Sequence, residues 1–167
     1  MNAIPAIHAS QSDAGRNPTL QQWLRFSRLP FGRSLFSRMT GFVVPYAGSI
    51  SATVLTLAPG FAEIRMADQR RVRNHLRSIH AVALTNLAEM TGNLAMMSRQ
   101  PASGARWIVT GFDSEYLKKA RGPITACCEV EVLDWSAPRD VAGHVELRDR
   151  DGNLVMVGRP RWRIGPG

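Results

Sequence analysis

The 167-residue chain has only two cysteines, and they are adjacent, Cys127 and Cys128. A disulfide framework is therefore excluded. Neighbours on a strand point to opposite faces, so this pair is badly placed to bridge or to share a metal. No His, Cys or acidic cluster has metal-ligand spacing, and no metal or other cofactor is expected. Acidic residues are scarce at one end: from 1 to 62 the only one is Asp13, against Arg16, Arg25, Arg28, Arg33 and Arg38. No apolar stretch follows the first residues, which excludes a secretory signal, whereas an Arg-rich, acid-poor start is also the composition of an organellar transit peptide. The longest uncharged run, Gly41 to Ala62, has the length of a membrane span, but Pro45, Gly48, Pro59 and Gly60 break it. No transmembrane helix is expected. Zinc-finger spacing, a recognition helix, an aromatic RNA-binding motif, a phosphate-cradling glycine loop and a serine nucleophile elbow are all missing. Nucleic acid is not an expected partner, although 21 Lys and Arg against 13 Asp and Glu give a net charge of +8.

What remains is ordinary globular material, 44% apolar and 20% charged, of a length that suits one core. Residues 1–18 read as a mobile leader. Residues 19–44 read as a helical extension, a single helix broken near Pro30 that carries Leu20, Trp23, Leu24, Phe26, Leu35 and Phe36 at roughly helical spacing. Residues 45–167 read as a single domain. Within it a strand at 49–58 and another at 61–66 form a hairpin through Pro59-Gly60. A polar, basic loop follows, from Asp68 to His75. From Ser78 to Met97 the chain turns helical, with Ala83, Leu87, Met90, Leu94 and Met97 spaced 4, 3, 4, 3 along one stripe. Other faces are apolar too, so this helix is expected to be buried on most sides. About four strands follow, at 107–112, 124–133, 141–148 and 154–164, the last two joined through Asp151-Gly152-Asn153. The fold class is α+β, an antiparallel sheet wrapped around one long helix.

That helix contains one acidic residue, Glu89. An unpaired buried carboxylate costs several kcal/mol, about 2–5 or more, so it is seldom retained for packing. It marks either a site that uses the charge or a solvent-facing strip with Asn86 and Asn93, which share its face. His80 opens the helix, as cap or as catalyst. Nine residues separate His80 from Glu89, half a turn and about 13–14 Å of rise. The two cannot meet on one substrate atom within one chain. A shared site would lie between two chains related by symmetry.

Asn74-His75-Leu76-Arg77-Ser78-Ile79-His80-Ala81, followed nine positions after His80 by Glu89, resembles the Asn, His-small and acid pattern of hotdog-fold thioesterases. Glu115 to Gly122 resembles the entry to the following long strand in these proteins. Over roughly 45–164 the chain is similar to a branch carried as a domain of unknown function, near the phenylacetyl- and 4-hydroxybenzoyl-coenzyme A thioesterases. The resemblance implies a homodimer, or a dimer of dimers, that hydrolyses an acyl-coenzyme A, with coenzyme A present only as part of the substrate. It implies Glu89 as general base or nucleophile, the Ala81 N–H polarising the thioester carbonyl, Asn74 holding water or carbonyl, and His80 ordering the loop. Arg70, Arg71, Arg73, Lys118, Lys119 and Arg121 would meet the coenzyme A phosphates, or form a solvated face. Two departures bear on the oxyanion hole: Ala81 replaces the Gly of many relatives, and Ser78, as N-cap, would occupy the Ala81 N–H. A cytoplasmic protein is expected. The rival readings are a non-catalytic acyl-thioester or fatty-acyl binding protein, a dehydratase or hydratase of the same fold, and a basic module for membrane surfaces.

Overall fold

The computed structural model describes residues 17–102 and 104–167. Of the expected leader 1–18, all but Asn17 and Pro18 lie outside the described residues. Those two belong to the first helix, α1 (Pro18–Ser27), whose N-cap is Asn17. The Asn17 Oδ1 accepts from the Leu20 N–H at 3.0 Å, while its amide donates to the Met97 and Gln100 carbonyls at 2.7 and 2.8 Å. One side chain thus caps α1 and ties it to the end of the central helix, satisfying carbonyls that a helix C-terminus leaves open.

The break expected near Pro30 separates α1 from α2 (Gly32–Val43). Both bury an aromatic residue, with the Trp23 and Phe36 rings 5.3 Å apart edge to face. The Ser37 Oγ accepts from the Val54 N–H at 2.9 Å and fixes α2 onto the sheet. A one-turn helix, α3 (Pro45–Gly48), follows. It crosses α2 where Gly41 and Gly48 meet: a Cβ on Gly41 would lie 2.9 Å from the Gly48 Cα. The strand expected over 49–58 begins only at Thr53, because this turn of helix and Ser51, with φ of 46°, precede it.

The strands are β1 (Thr53–Ala58), β2 (Phe61–Met66), β3 (Arg106–Tyr116), β4 (Ile124–Glu129), β5 (Arg139–Ala142), β6 (Val145–Arg148) and β7 (Leu154–Gly165). They form one antiparallel sheet in the order β1-β2-β4-β6-β7-β3, with β5 also on β7. The central helix, α4 (Ala81–Met97), lies against β2, β4, β6 and β7 and buries Leu84, Leu87, Leu94 and Met96 almost completely. This is a hotdog architecture, α+β as the sequence implies.

Three boundaries differ from expectation, each for a local reason. The strand read over 141–148 is two, interrupted at Gly143, where a Cβ would lie 2.5 Å from the Trp162 ring. β3 runs on to Tyr116, because its pairing with β7, shifted once at Thr110, continues to Met156. The strand from Ile124 ends at Glu129, where pairing with β2 stops at Phe61. Cys127 is half-buried and Cys128 buried, on opposite faces of β4, and both are free. Burial raises their pKa values to about 11 and about 12, so neither is a thiolate at neutral pH.

Candidate functional site

The site begins with the loop that feeds α4. A bridge between Arg73 and Ile79 closes it, and the His80 N–H donates to the Val72 carbonyl at 2.8 Å. Inside the loop the Asn74 Oδ1 accepts from the Leu76 N–H, the Ser78 N–H and the Ser78 hydroxyl, at 2.9, 3.2 and 3.1 Å. Asn74 therefore shapes the loop with its oxygen. Its amide nitrogen makes no hydrogen bond among the described residues.

Ser78 is not the N-cap. It is 3% exposed and turned toward Asn74, and the cap is His80, whose Nδ1 accepts from the Val82 N–H at 3.2 Å. This correction matters chemically. As the first helical residue, Ala81 has an N–H with no intrahelical acceptor, and none of the described residues takes it. The positive end of the helix dipole is directed the same way. Ala81 is exposed and lines a 250 Å³ pocket with Asn74, Leu76, Tyr116, Lys118 and Lys119.

Three residues here, Tyr116, Thr85 and Ser114, were not foreseen as polar partners. The Tyr116 hydroxyl lies 2.5 Å from the Thr85 Oγ1 and 3.3 Å from the Ala81 carbonyl, and Ser114 lies 3.2 Å from Thr85. Together they pin the first turn of α4 to β3. In the sequence Tyr116 belongs only to the stretch that resembles the entry to a long strand, because nothing local pairs a strand tyrosine with a helix 31 positions away.

Glu89 is half-buried and has no hydrogen bond or ion pair among the described residues. Its expected companions do not form a solvent-facing strip. The Asn86 amide donates to the Tyr46 carbonyl of α3 at 2.9 Å and to the Ser49 Oγ at 3.4 Å, and Asn93 accepts from the Trp162 indole at 2.9 Å. Both asparagines are therefore used by the fold, and Glu89 is not. At 100° per residue Glu89 lies between the α3 side, marked by Asn86, and the β3 side, marked by Thr85.

Beside Glu89 on the helix, Met90 forms part of the floor of a 740 Å³ groove between α2, α3 and the start of β1, with Arg38, Phe42 and Ala52 among its walls. A second 250 Å³ pocket, on the other side of the α4 N-terminus, is lined by Arg71, Arg73, His80 and Tyr46.

The six basic candidates divide. The Arg73 Nε contacts Asp68 at 2.6 Å, and Lys118 contacts Asp149 at 3.4 Å. Arg70, Arg71, Lys119 and Arg121 are exposed and meet no carboxylate among the described residues. Asp68 also accepts from the Gly122 N–H at 2.9 Å, linking the loop to the turn before β4. The Arg73 guanidinium holds the Asp68 carboxyl below its ordinary pKa, with the Gly122 N–H adding to the effect and burial opposing it. A depressed carboxylate contributes stability above its unfolded pKa and loses it as pH falls through the folded value. Wild type should thus have a higher Tm than Asp68→Asn at pH 7, and the gap should close below about pH 4. A gap that does not change with pH would contradict this role for Asp68.

The sequence family described as a domain of unknown function (DUF4442) matches residues 32–164. The chain belongs to that family. Among solved structures it is similar to a structural-genomics protein at 30% identity and TM-score 0.77, covering 89% of this chain and 98% of that one. A Pseudomonas aeruginosa protein described as a probable thioesterase shares 18% identity at TM-score 0.73, over 83% of this chain and 97% of that one. The PaaI protein from the phenylacetic acid degradation operon of E. coli shares 17% identity at TM-score 0.63, over 80% and 95%. A comparison with curated proteins gave no match. The relatives confirm the hotdog fold. No described helix is long and apolar enough to cross a membrane.

Proposed function

We propose that this hotdog protein is an acyl-coenzyme A thioesterase acting as a homodimer, with each site built from the Ala81 end of one protomer and Glu89 of the partner subunit. The observation that carries the reading is the pairing of a free N–H at the start of α4 with a carboxylate, eight residues and about 12 Å further along the same helix, that has no partner among the described residues. A two-fold axis brings such halves together, and one chain alone does not. β3 supports the dimer. It is an 11-residue edge strand, and Ile108 on it is 65% exposed. Long unprotected edges of this kind are templates for pairing. The relatives described as thioesterases are consistent with the chemistry.

In this reading the thioester carbonyl oxygen accepts from the Ala81 N–H, which is already aimed and needs no reorganisation as negative charge develops. The carboxylate of Glu89 takes a proton from water, whose oxygen attacks the carbonyl carbon, or attacks that carbon itself. The C–S bond then breaks and the sulfur leaves as thiolate and is protonated. On the water route the acyl group departs as a carboxylate. On the direct route it stays on Glu89 as an anhydride until a water hydrolyses it, releasing the acid and restoring the Glu89 carboxylate. Arg70, Arg71, Lys119 and Arg121, which have no carboxylate partner among the described residues, are free to meet the coenzyme A phosphates. Arg73 and Lys118 contribute less, being engaged by Asp68 and Asp149. The acyl chain lies in the groove floored by Met90.

Thiol release from acetyl-, hexanoyl-, palmitoyl- and benzoyl-coenzyme A tests this. Turnover of at least one ester by folded dimer is expected. Tight binding of all four without release would instead identify a non-catalytic acyl-thioester binding protein.

A further inference from the structure

The helical extension has an outer surface that its packing does not explain. Leu35, Arg38 and Phe42 are spaced 3 and 4 along α2, so they share one stripe on the side away from Phe36 and the core, and Phe31 is the N-cap of the same helix. Phe31 is 88% exposed, Leu35 51% and Phe42 86%. Phe31 also has a left-handed backbone, with φ of 59°, a conformation that costs a bulky residue energy. At 88% exposure it recovers little of that cost by packing among the described residues. Arg25, Arg28, Arg33 and Arg38 are exposed on the same two helices, and none meets a carboxylate among the described residues. From residue 17 to residue 62 the sequence contains no Asp or Glu.

We infer that this surface docks the protein onto an anionic phospholipid bilayer. Phe31, Leu35 and Phe42 enter the boundary between headgroups and acyl chains, Arg38 remains among the lipid phosphates, and the exposed Arg25, Arg28 and Arg33 add longer-range attraction to the anionic surface. An exposed apolar stripe with Arg38 in its line, on an extension that carries three more exposed arginines and no carboxylate, is the composition of helices that lie in a membrane interface. Charge complementarity selects this occupant over a second copy of the chain. A two-fold contact through the stripe would bring Arg38 toward the partner's Arg38, with no acid from the extension to offset the pair. A bilayer supplies both the apolar layer and the negative charge. Docking of this kind needs no spanning helix. It would hold the 740 Å³ groove, which Arg38 and Phe42 also line, next to the surface where amphipathic acyl compounds collect.

Co-sedimentation of the full chain with vesicles tests this, using phosphatidylcholine alone and phosphatidylcholine with phosphatidylglycerol. Binding to the anionic vesicles is expected, with little to the neutral ones. The affinity should fall about tenfold or more in Phe31→Ser/Phe42→Ser and in Arg33→Gln/Arg38→Gln, and also as salt rises through the screening range. All four side chains are exposed, so unchanged circular dichroism is expected. Glu89→Gln should bind as wild type does, which separates docking from hydrolysis. The inference is overturned by three results: no binding to anionic vesicles, binding indifferent to both double variants, or a Phe31→Ser/Phe42→Ser protein whose only change is a smaller oligomer.

Discussion

Replacing Glu89 with Gln should lower the rate of thiol release by at least about a hundredfold while leaving the fold intact. A positioned general base contributes about 10²–10⁴-fold. Gln keeps the size and one acceptor of Glu but neither takes a proton nor attacks a carbonyl. Structural damage is not expected, because Glu89 is only half-buried and breaks no hydrogen bond or ion pair among the described residues on replacement. The loss should appear in kcat, with KM nearly unchanged, since the carboxylate acts mainly in the transition state. Thermal unfolding of the variant should match wild type within a degree or two, about the effect of a near-neutral surface change. A variant with full activity would remove Glu89 from the mechanism.

The second large effect is expected from Ala81→Pro. Proline is favoured at the first position of a helix, where its missing N–H would be unpaired and its fixed φ suits the turn. His80 before it has φ of −67° and ψ of 139°, an extended conformation that a following proline accepts. The substitution should therefore cost the fold little. It deletes the one backbone donor assigned to the thioester oxygen, and removal of such a donor costs about 10²–10³ in kcat. Ala81→Gly is the companion. It keeps the N–H and clears a methyl group from the approach, so activity should be retained or rise. Equal loss in both variants would mean that the helix start, rather than its N–H, is what matters.

These two residues show how unevenly the sequence exposed the site. Glu89 stands out because it is the single carboxylate in a helix whose 3.6-residue pattern buries nearly every face. Periodicity marked that helix to within three residues. Its true start was missed because Ser78 and His80 are both credible caps, and the choice between them depends on Asn74 drawing the Ser78 hydroxyl inward. Asn86 and Asn93 kept a solvent-facing strip open as the alternative to a site, since amides usually face solvent. Their partners, the Tyr46 carbonyl and the Trp162 indole, lie 40 and 69 residues away. The Tyr116–Thr85 contact was hidden for the same reason. On the sheet, β1 and the 141–148 stretch were misread where helix α3 and Trp162 intervene, and neither is a local preference of the strand residues. Short-range pattern predicted the elements, while the long-range partners decided which polar groups were left free.

The most direct test of a site shared between protomers is complementation between two inactive variants. Glu89→Gln and Ala81→Pro proteins, each inactive alone, would be unfolded, mixed in equal amounts and refolded together. Random pairing makes half the dimers mixed, and one of their two sites then combines an intact Ala81 N–H with an intact Glu89 from the other chain. Activity should return to about a quarter of wild type, because half the dimers each carry half their sites. If each site were contained in a single chain, every site in the mixture would lack one group or the other, and the mixture would stay as inactive as its parents.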